Sequence, residues 1–253
     1  MIPRTLKRIF EFENLSRYAP PSLVLREIAW RYYWHGEAEV KLLRKLVRPG
    51  SNSVDVGVAV GNYTYHLARV SSHVYSFEPN PFWVQWLRRC VPHNVTIFDV
   101  ALSDESGVAT LSIPRLDGTI PCREAATIGN NFEADRCERI DVPRRTLDEY
   151  RLQNVSFIKI DVEGQEMNVL AGAAHTLERC RPTLLIEVLA ILSRTDIRTE
   201  LAAIENLGYR GSFLQHGQLH PICEFEPAKH QPDVGFDERD AEYVANFIFM
   251  PVS

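Results

Sequence analysis

The segment Asp55-Val56-Gly57-Val58-Ala59-Val60-Gly61 constrains the chain most, because it carries an apolar strand into a helix through two glycines. Gly57 and Gly61 let the backbone turn tightly and approach a ligand, and Ala59 is the smallest residue that keeps a Cβ. Such a turn has meaning only between a strand and a helix. Here Ser53–Gly57 reads as a short apolar strand, and a helix follows through about Val70. Glu78 ends the next strand, His73–Phe77, about twenty residues after the turn, where an acid takes both ribose hydroxyls of a nucleoside ligand. A plain surface charge at a strand end is the alternative.

The alternation continues with a helix near Phe82–Cys90 and a strand Val95–Val100, which argues for βαβ units and a parallel sheet. The edge Phe98-Asp99-Val100-Ala101-Leu102-Ser103-Asp104 faces the same crevice, so Asp99, Ala101 and Ser103 are candidates to border an adenine ring. The pattern then breaks. Gly107–Ile113 and Ile140–Arg145 read as β-rich, and the polar stretch Pro114–Arg139 between them holds Gly118, Pro121 and Gly129-Asn130-Asn131, an excursion and not a helix.

Alternation resumes with strand Val155–Ile160, helix Glu163–Leu177, strand Leu184–Val188, helix Thr195–Leu207, strand Tyr209–Leu214 and strand Ala245–Met250. The expected fold is α/β, a doubly wound, mostly parallel, seven-stranded sheet. Residues 49–253 form that domain, and residues 1–48 form an N-terminal helical extension. The extension's Trp30, Tyr32, Tyr33 and Trp34 either pack on the main domain or act as a lid. The loop from His216 to Asp240 and the Pro114–Arg139 stretch are expected to shape a pocket.

Bulk properties exclude several classes. A net charge of -5 leaves no basic footprint for nucleic acid, and Arg4, Lys7 and Arg8 read as a solvated helix face. No apolar run reaches the ~18 residues of a membrane span, and no secretory h-region is present. Cys90, Cys122, Cys137, Cys180 and Cys223 are odd in number and scattered, which suits free thiols in a reducing, cytoplasmic compartment.

Phe157-Ile158-Lys159-Ile160-Asp161-Val162-Glu163-Gly164 is the second unusual stretch. Its acids fall at the carboxyl edge of a strand, where doubly wound folds bind ligands. Asp161 as a helix cap and Glu163 as a first-turn charge are their plainer roles. Lys159 inside an apolar strand must reach a partner. Asp161, Glu163 and Lys159 are the catalytic candidates, with Glu187 a fourth and His35 a possible base near neutral pH. The acids also suit Mg²⁺, and the reading adopted here is without a metal. A nicotinamide dinucleotide prefers a third glycine, which the turn lacks, and no Tyr-x-x-x-Lys occurs, so a methyl-donor nucleoside fits better.

These stretches resemble the FkbM family of S-adenosylmethionine-dependent methyltransferases. The matching pieces run from Val54-Asp55-Val56-Gly57 and Gly61-Asn62-Tyr63-Thr64 through Phe77-Glu78-Pro79-Asn80-Pro81 and Ala101-Leu102-Ser103-Asp104 with Gly107. They continue in Phe157–Gly164 with Glu166, Leu170, Gly172 and Ala173, and end at Pro182 with Leu184-Leu185-Ile186-Glu187. The resemblance covers roughly residues 37–250. It implies S-adenosyl-L-methionine as cofactor, contacted by Asp55, Gly57, Ala59, Gly61, Asn62, Glu78, Asp99, Ala101, Ser103 and Asp161. It also implies methylation of a hydroxyl on a saccharide or secondary metabolite. One departure stands out. The family usually has Ala-Asn-Ile between the two glycines where this chain has Val58-Ala59-Val60, so one amide contact to the cofactor is missing. A binding module that has lost its acceptor site is the second reading, and a nicotinamide-dependent oxidoreductase the third.

Overall fold

The computed structural model describes residues 19–116, 120–128, 137–193, 195–232 and 242–252. Arg4, Lys7, Arg8, Gly118 and Gly129-Asn130-Asn131 lie outside them, as does the stretch from 233 to 241. Proline at the first helical position, where its missing N–H is no loss, starts helix α1 (Pro21–His35). A 3-10 turn (Ala38–Leu42) and the short α2 (Leu43–Leu46) follow. The alternating units are β1 (Asn52–Val56), α3 (Asn62–Leu67), β2 (His73–Phe77), α4 (Pro81–Cys90) and β3 (Val95–Phe98). The excursion is built from β4 (Ala101–Leu102), β5 (Gly107–Leu116), β6 (Ile120–Pro121), β7 (Thr127–Ile128) and β8 (Cys137–Arg145). Then come β9 (Val155–Ile160), α5 (Glu166–Ala171), α6 (Ala174–Cys180), β10 (Thr183–Glu187), α7 (Ile197–Glu205), β11 (Tyr209–Gln215), β12 (Gln218–Pro221), α8 (Pro227–His230) and β13 (Asn246–Pro251).

The main sheet is eight-stranded, in the order β12-β11-β13-β10-β9-β1-β2-β3. From β10 to β3 the pairs are parallel, while β13 runs antiparallel to both β10 and β11. The chain reverses its direction of winding between β1 and β9, the switch point at which doubly wound sheets bind ligands. The extra strand, β12, comes from a hairpin whose two loop residues, His216 and Gly217, both have positive φ (49° and 77°). That is the primed turn that matches strand twist.

Strand alternation sorts the side chains into two cores. Val54, Val56, Ile158, Ile160, Leu184, Ile186, Phe247 and Phe249 face one side, with Val169, Leu170, Ala173 and Leu177 of α5–α6 and Leu201 and Ile204 of α7. Phe157, Leu185 and Ile248 face the other, covered by Tyr63 and Leu67 of α3 and by Val40, Leu43 and Val47 of the N-terminal segment. α1 packs through Val24 and Leu25 on Trp83, Trp86 and Leu87 of α4. Trp30 and Trp34 stay 57% and 55% exposed, whereas Tyr32 and Tyr33 are half-buried. The excursion closes its own small core of Ala101, Ala109, Leu111, Ile113 and Val142. No described helix is long and apolar enough to cross a membrane.

The helix read as Glu163–Leu177 is two helices. They divide at Gly172, where a Cβ would stand 1.9 Å from the Ser103 carbonyl oxygen. The close approach of the excursion, and not local propensity, sets that break.

Candidate active site

The register of the sheet assembles the site. Asp55 on β1 pairs with Lys159 on β9, so their side chains share the face covered by α3 and the N-terminal segment. Two residues further along, on the same face and at the carboxyl edge, come Gly57, Asp161 and Glu187. Asn246, paired with Glu187 at the start of β13, completes the row.

The turn after β1 holds Gly57 at φ 80°, Ala59 at φ 46° and Gly61 at φ 100°. A Cβ on Gly57 would lie 1.7 Å from the Asp161 carbonyl oxygen, so only glycine lets β9 end against this turn. The Ala59 N–H donates to Glu78 Oε2 at 2.8 Å, and the Asn80 N–H donates to Glu78 Oε1 at 2.8 Å. Glu78 is 5% exposed. Burial pushes its carboxyl up to about 7, against the pull of the Asn80 and Ala59 N–H groups. Asn80 caps α4 by accepting from the Phe82 N–H at 3.1 Å. Its Nδ2 is buried without a partner, and so is Oδ1 of Asn62 at the start of α3. Beneath the turn, Asp55 accepts from the Thr64 hydroxyl at 2.6 Å, and burial raises it to about 7.

Lys159 is 1% exposed. Its ammonium donates to Asp161 Oδ2 at 3.4 Å and to Asn246 Oδ1 at 3.3 Å, and stands 5.1 Å from the centre of the Tyr63 ring. Burial alone would push Lys159 down, but Asp161, Glu37, Glu187 and Asp55 together hold it above its usual value. Glu37 closes the network from the N-terminal segment. It accepts from Tyr32 Oη, from Tyr63 Oη at 2.6 Å and from Asn246 Nδ2 at 2.9 Å. Burial first, and then the Glu37 carboxylate, pushes both phenols well above their usual range, so they remain donors.

Carboxylate oxygens of Asp161, Glu163 and Glu187 lie within 4.8 Å of one another. Burial and then the neighbouring Asp161 carboxylate push Glu187 well above the usual range. Such an arrangement suits two carboxyl groups that share a proton. Glu163 adopts φ 54°, and its carbonyl accepts from Thr127 Oγ1 at 2.7 Å, which fastens β7 of the excursion to the site loop. Neither Asp161 nor Glu163 caps a helix: Gln165 precedes α5, and Glu166 accepts from the N–H groups of Val162 and Gly164 at 3.3 and 3.0 Å.

The remaining candidates are more dispersed. His35 is exposed at the end of α1. Asp99 is an exposed residue paired with Arg88 at 3.2 Å. Ala101 is buried in β4 of the second sheet. Ser103, also buried, donates to Asp104 at 2.9 Å, and its backbone backs onto Gly172. Residues of this network that the sequence reading did not single out as site candidates are Glu37, Tyr63 and Asn246. The only sequence signal for Asn246 is a polar side chain opening an otherwise apolar strand, and for Glu37 an acid beside an aromatic cluster.

Among solved structures, the chain is similar to a methyltransferase FkbM from Methylobacillus flagellatus KT at 17% identity and a TM-score of 0.49. That match covers 97% of this chain and 60% of the other, so the chain spans under two thirds of the relative's length. A rRNA methylase from Streptococcus thermophilus matches at 13% identity and a TM-score of 0.46, with 85% of this chain and 95% of that one covered. A putative methyltransferase from Streptococcus mutans in complex with SAH matches at 13% identity and a TM-score of 0.43, covering 85% and 96%. A search of curated proteins gives no match. The model of the methyltransferase FkbM domain matches residues 55–210, from the aspartate before the glycine turn to the start of β11. That span is more than half of the chain and holds both motifs, and the chain belongs to the FkbM methyltransferase domain family.

Proposed function

We propose that the chain is an S-adenosylmethionine-dependent methyltransferase acting on a hydroxyl of a small acceptor, a saccharide or a secondary metabolite. The observation that carries the cofactor assignment is the buried Glu78 carboxylate held at the glycine turn, together with the unpartnered Asn62 Oδ1 at the start of α3 and Asn80 Nδ2 at the cap of α4. A carboxylate has about four lone-pair sites, so the two backbone donors leave Glu78 able to accept from ribose hydroxyls. Buried polar atoms without partners are uncommon in native folds, and a nucleoside bearing both donors and acceptors suits the two amides. Asp55, Gly57, Ala59 and Gly61 would line the turn, with Asp161 at its far side. Asp99, Ala101 and Ser103 belong to the adenine end of this reading.

Bound S-adenosylmethionine would supply an electrophilic methyl group on a sulfonium. The chain's own part is to align the acceptor and take up its proton. The Asp161–Glu187 pair is the proton acceptor in this reading, with the Lys159 ammonium beside Asp161 at 3.4 Å. Lys159 brings a positive charge to the acids. Glu37, Asp161, Glu163 and Glu187 make the cluster a poor host for a phosphodiester, which favours an uncharged polyol over nucleic acid as acceptor.

Calorimetric titration with S-adenosylhomocysteine, beside Glu78→Ala and an NAD⁺ control, tests the cofactor. Micromolar binding that collapses in the variant, with no response to NAD⁺, is expected. Absence of binding to the wild-type protein would defeat the assignment. For the chemistry, Asp161→Asn is expected to lower turnover of a hydroxylated acceptor by roughly 10²–10⁴-fold at saturating S-adenosylmethionine. Unchanged turnover would remove Asp161 from the mechanism.

A further inference from the structure

We propose that Glu37 is a positioning residue for the Asp161–Glu187 pair: it fixes which end of the Asn246 amide faces Lys159, and so holds the ammonium beside Asp161. The inference rests on the reading of Asp161 and Glu187 as the groups that act on the acceptor.

The argument is one of donors and acceptors. Asn246 is 4% exposed, and its side chain lies between an ammonium, which only donates, and a carboxylate, which only accepts. One orientation of the amide satisfies both neighbours: Oδ1 toward Lys159 at 3.3 Å and Nδ2 toward Glu37 at 2.9 Å. Glu37 is itself pinned by the Tyr32 and Tyr63 hydroxyls, so it cannot turn away from Asn246. Lys159 is then held by Asn246 Oδ1 and Asp161 Oδ2, with the Tyr63 ring face across from it. If Glu37 could also donate, the amide would be free to rotate, and its NH₂ end would oppose the ammonium. Lys159 would leave Asp161. The loop after α1 therefore completes the site from outside the strand–helix alternation, and β13 supplies the link.

Four proteins test this: wild type, Glu37→Gln, Asn246→Asp and the double variant. Glu37→Gln keeps the shape of the side chain and removes its power to orient Asn246. Asn246→Asp sets a second carboxylate against Glu37. The double variant exchanges the two groups, so that the new carboxylate at position 246 accepts from Lys159 and the new amide at position 37 donates to it. The Tyr63 hydroxyl can accept as well as donate, so it tolerates the exchange. The readouts are solvent exchange of the Lys159 ammonium by nitrogen-edited NMR, S-adenosylhomocysteine affinity by calorimetry, and kcat against KM in the methyl-transfer assay. Each single variant is expected to speed ammonium exchange and lower kcat by about tenfold or more. The double variant returns both to within about threefold of wild type, by the coupling logic of a double-mutant cycle. KM for the cofactor and S-adenosylhomocysteine affinity stay within about threefold in all four, because Glu78 is untouched. An unchanged ammonium signal or unchanged kcat in Glu37→Gln would overturn the proposal, and so would losses that the double variant fails to recover. If the wild type binds no S-adenosylhomocysteine while the ammonium follows the expected pattern, the cofactor reading falls and the positioning of Lys159 by Glu37 stands.

Discussion

Two single atoms decide much of this site. At Gly57 the hydrogen that replaces a side chain is what lets β9 end against the glycine turn, since a Cβ would meet the Asp161 carbonyl at 1.7 Å. Gly57→Ala is expected to cost about 3 kcal/mol or more in urea denaturation, because backbone and not a flexible side chain must move. A loss below about 1 kcal/mol would show that the turn relaxes freely. At Lys159 the nitrogen answers Asp161, Asn246 and the Tyr63 ring. Lys159→Met would leave Glu37, Asp161 and Glu187 together with no cation, and a loss of roughly 3–5 kcal/mol is expected at neutral pH. These residues were legible in the sequence for a physical reason, since a charge in an apolar strand and a glycine at a strand end each violate a local rule. Glu37 was not. An acid just past a helix violates nothing, and only the fold brings it within reach of Asn246.

Among the elements, strands were easier to read than helices. β2 and β9 fall where alternation predicts, because neighbouring strands leave little freedom at their ends. The helix after β9 was read as one piece because its apolar spacing continues past Gly172. The structure divides it there because α5–α6 must pass the Ser103 carbonyl. Gly172→Ala is expected to cost about 2–4 kcal/mol and to loosen the excursion, with faster amide exchange along β4 and β8. Equal protection in both proteins would contradict this account. The β12 hairpin escaped notice because His216 takes the positive φ that Asn or Asp more commonly supplies.

For the molecule as a whole, buried acids set the response to pH. Burial raises Glu39, Asp55 and Glu78 each to about 7. An acid whose pKa is higher in the folded state than in the unfolded one favours folding while protonated. Its contribution is complete below the unfolded value near 4 and is lost as pH rises through about 7. The ligand-free protein is therefore expected to melt at lower temperature at about pH 7.5 than at about pH 5.5. Asp55→Asn, whose amide oxygen can still accept from Thr64, should flatten that slope. An identical slope in the variant would mean that Asp55 titrates normally in the fold. The placement of β13 between β10 and β11 has a further consequence, one of timing during synthesis. The described strand that lies furthest along the chain fills a slot inside the sheet and brings Asn246 with it. A nascent chain that has emerged only as far as β12 has its two flanking strands unjoined and Lys159 without its amide partner. The glycine turn and Glu78 are by then already outside the ribosome. The turn that holds Glu78 can therefore form during translation, while the contact between Lys159 and Asn246 must wait for the strand that closes the sheet.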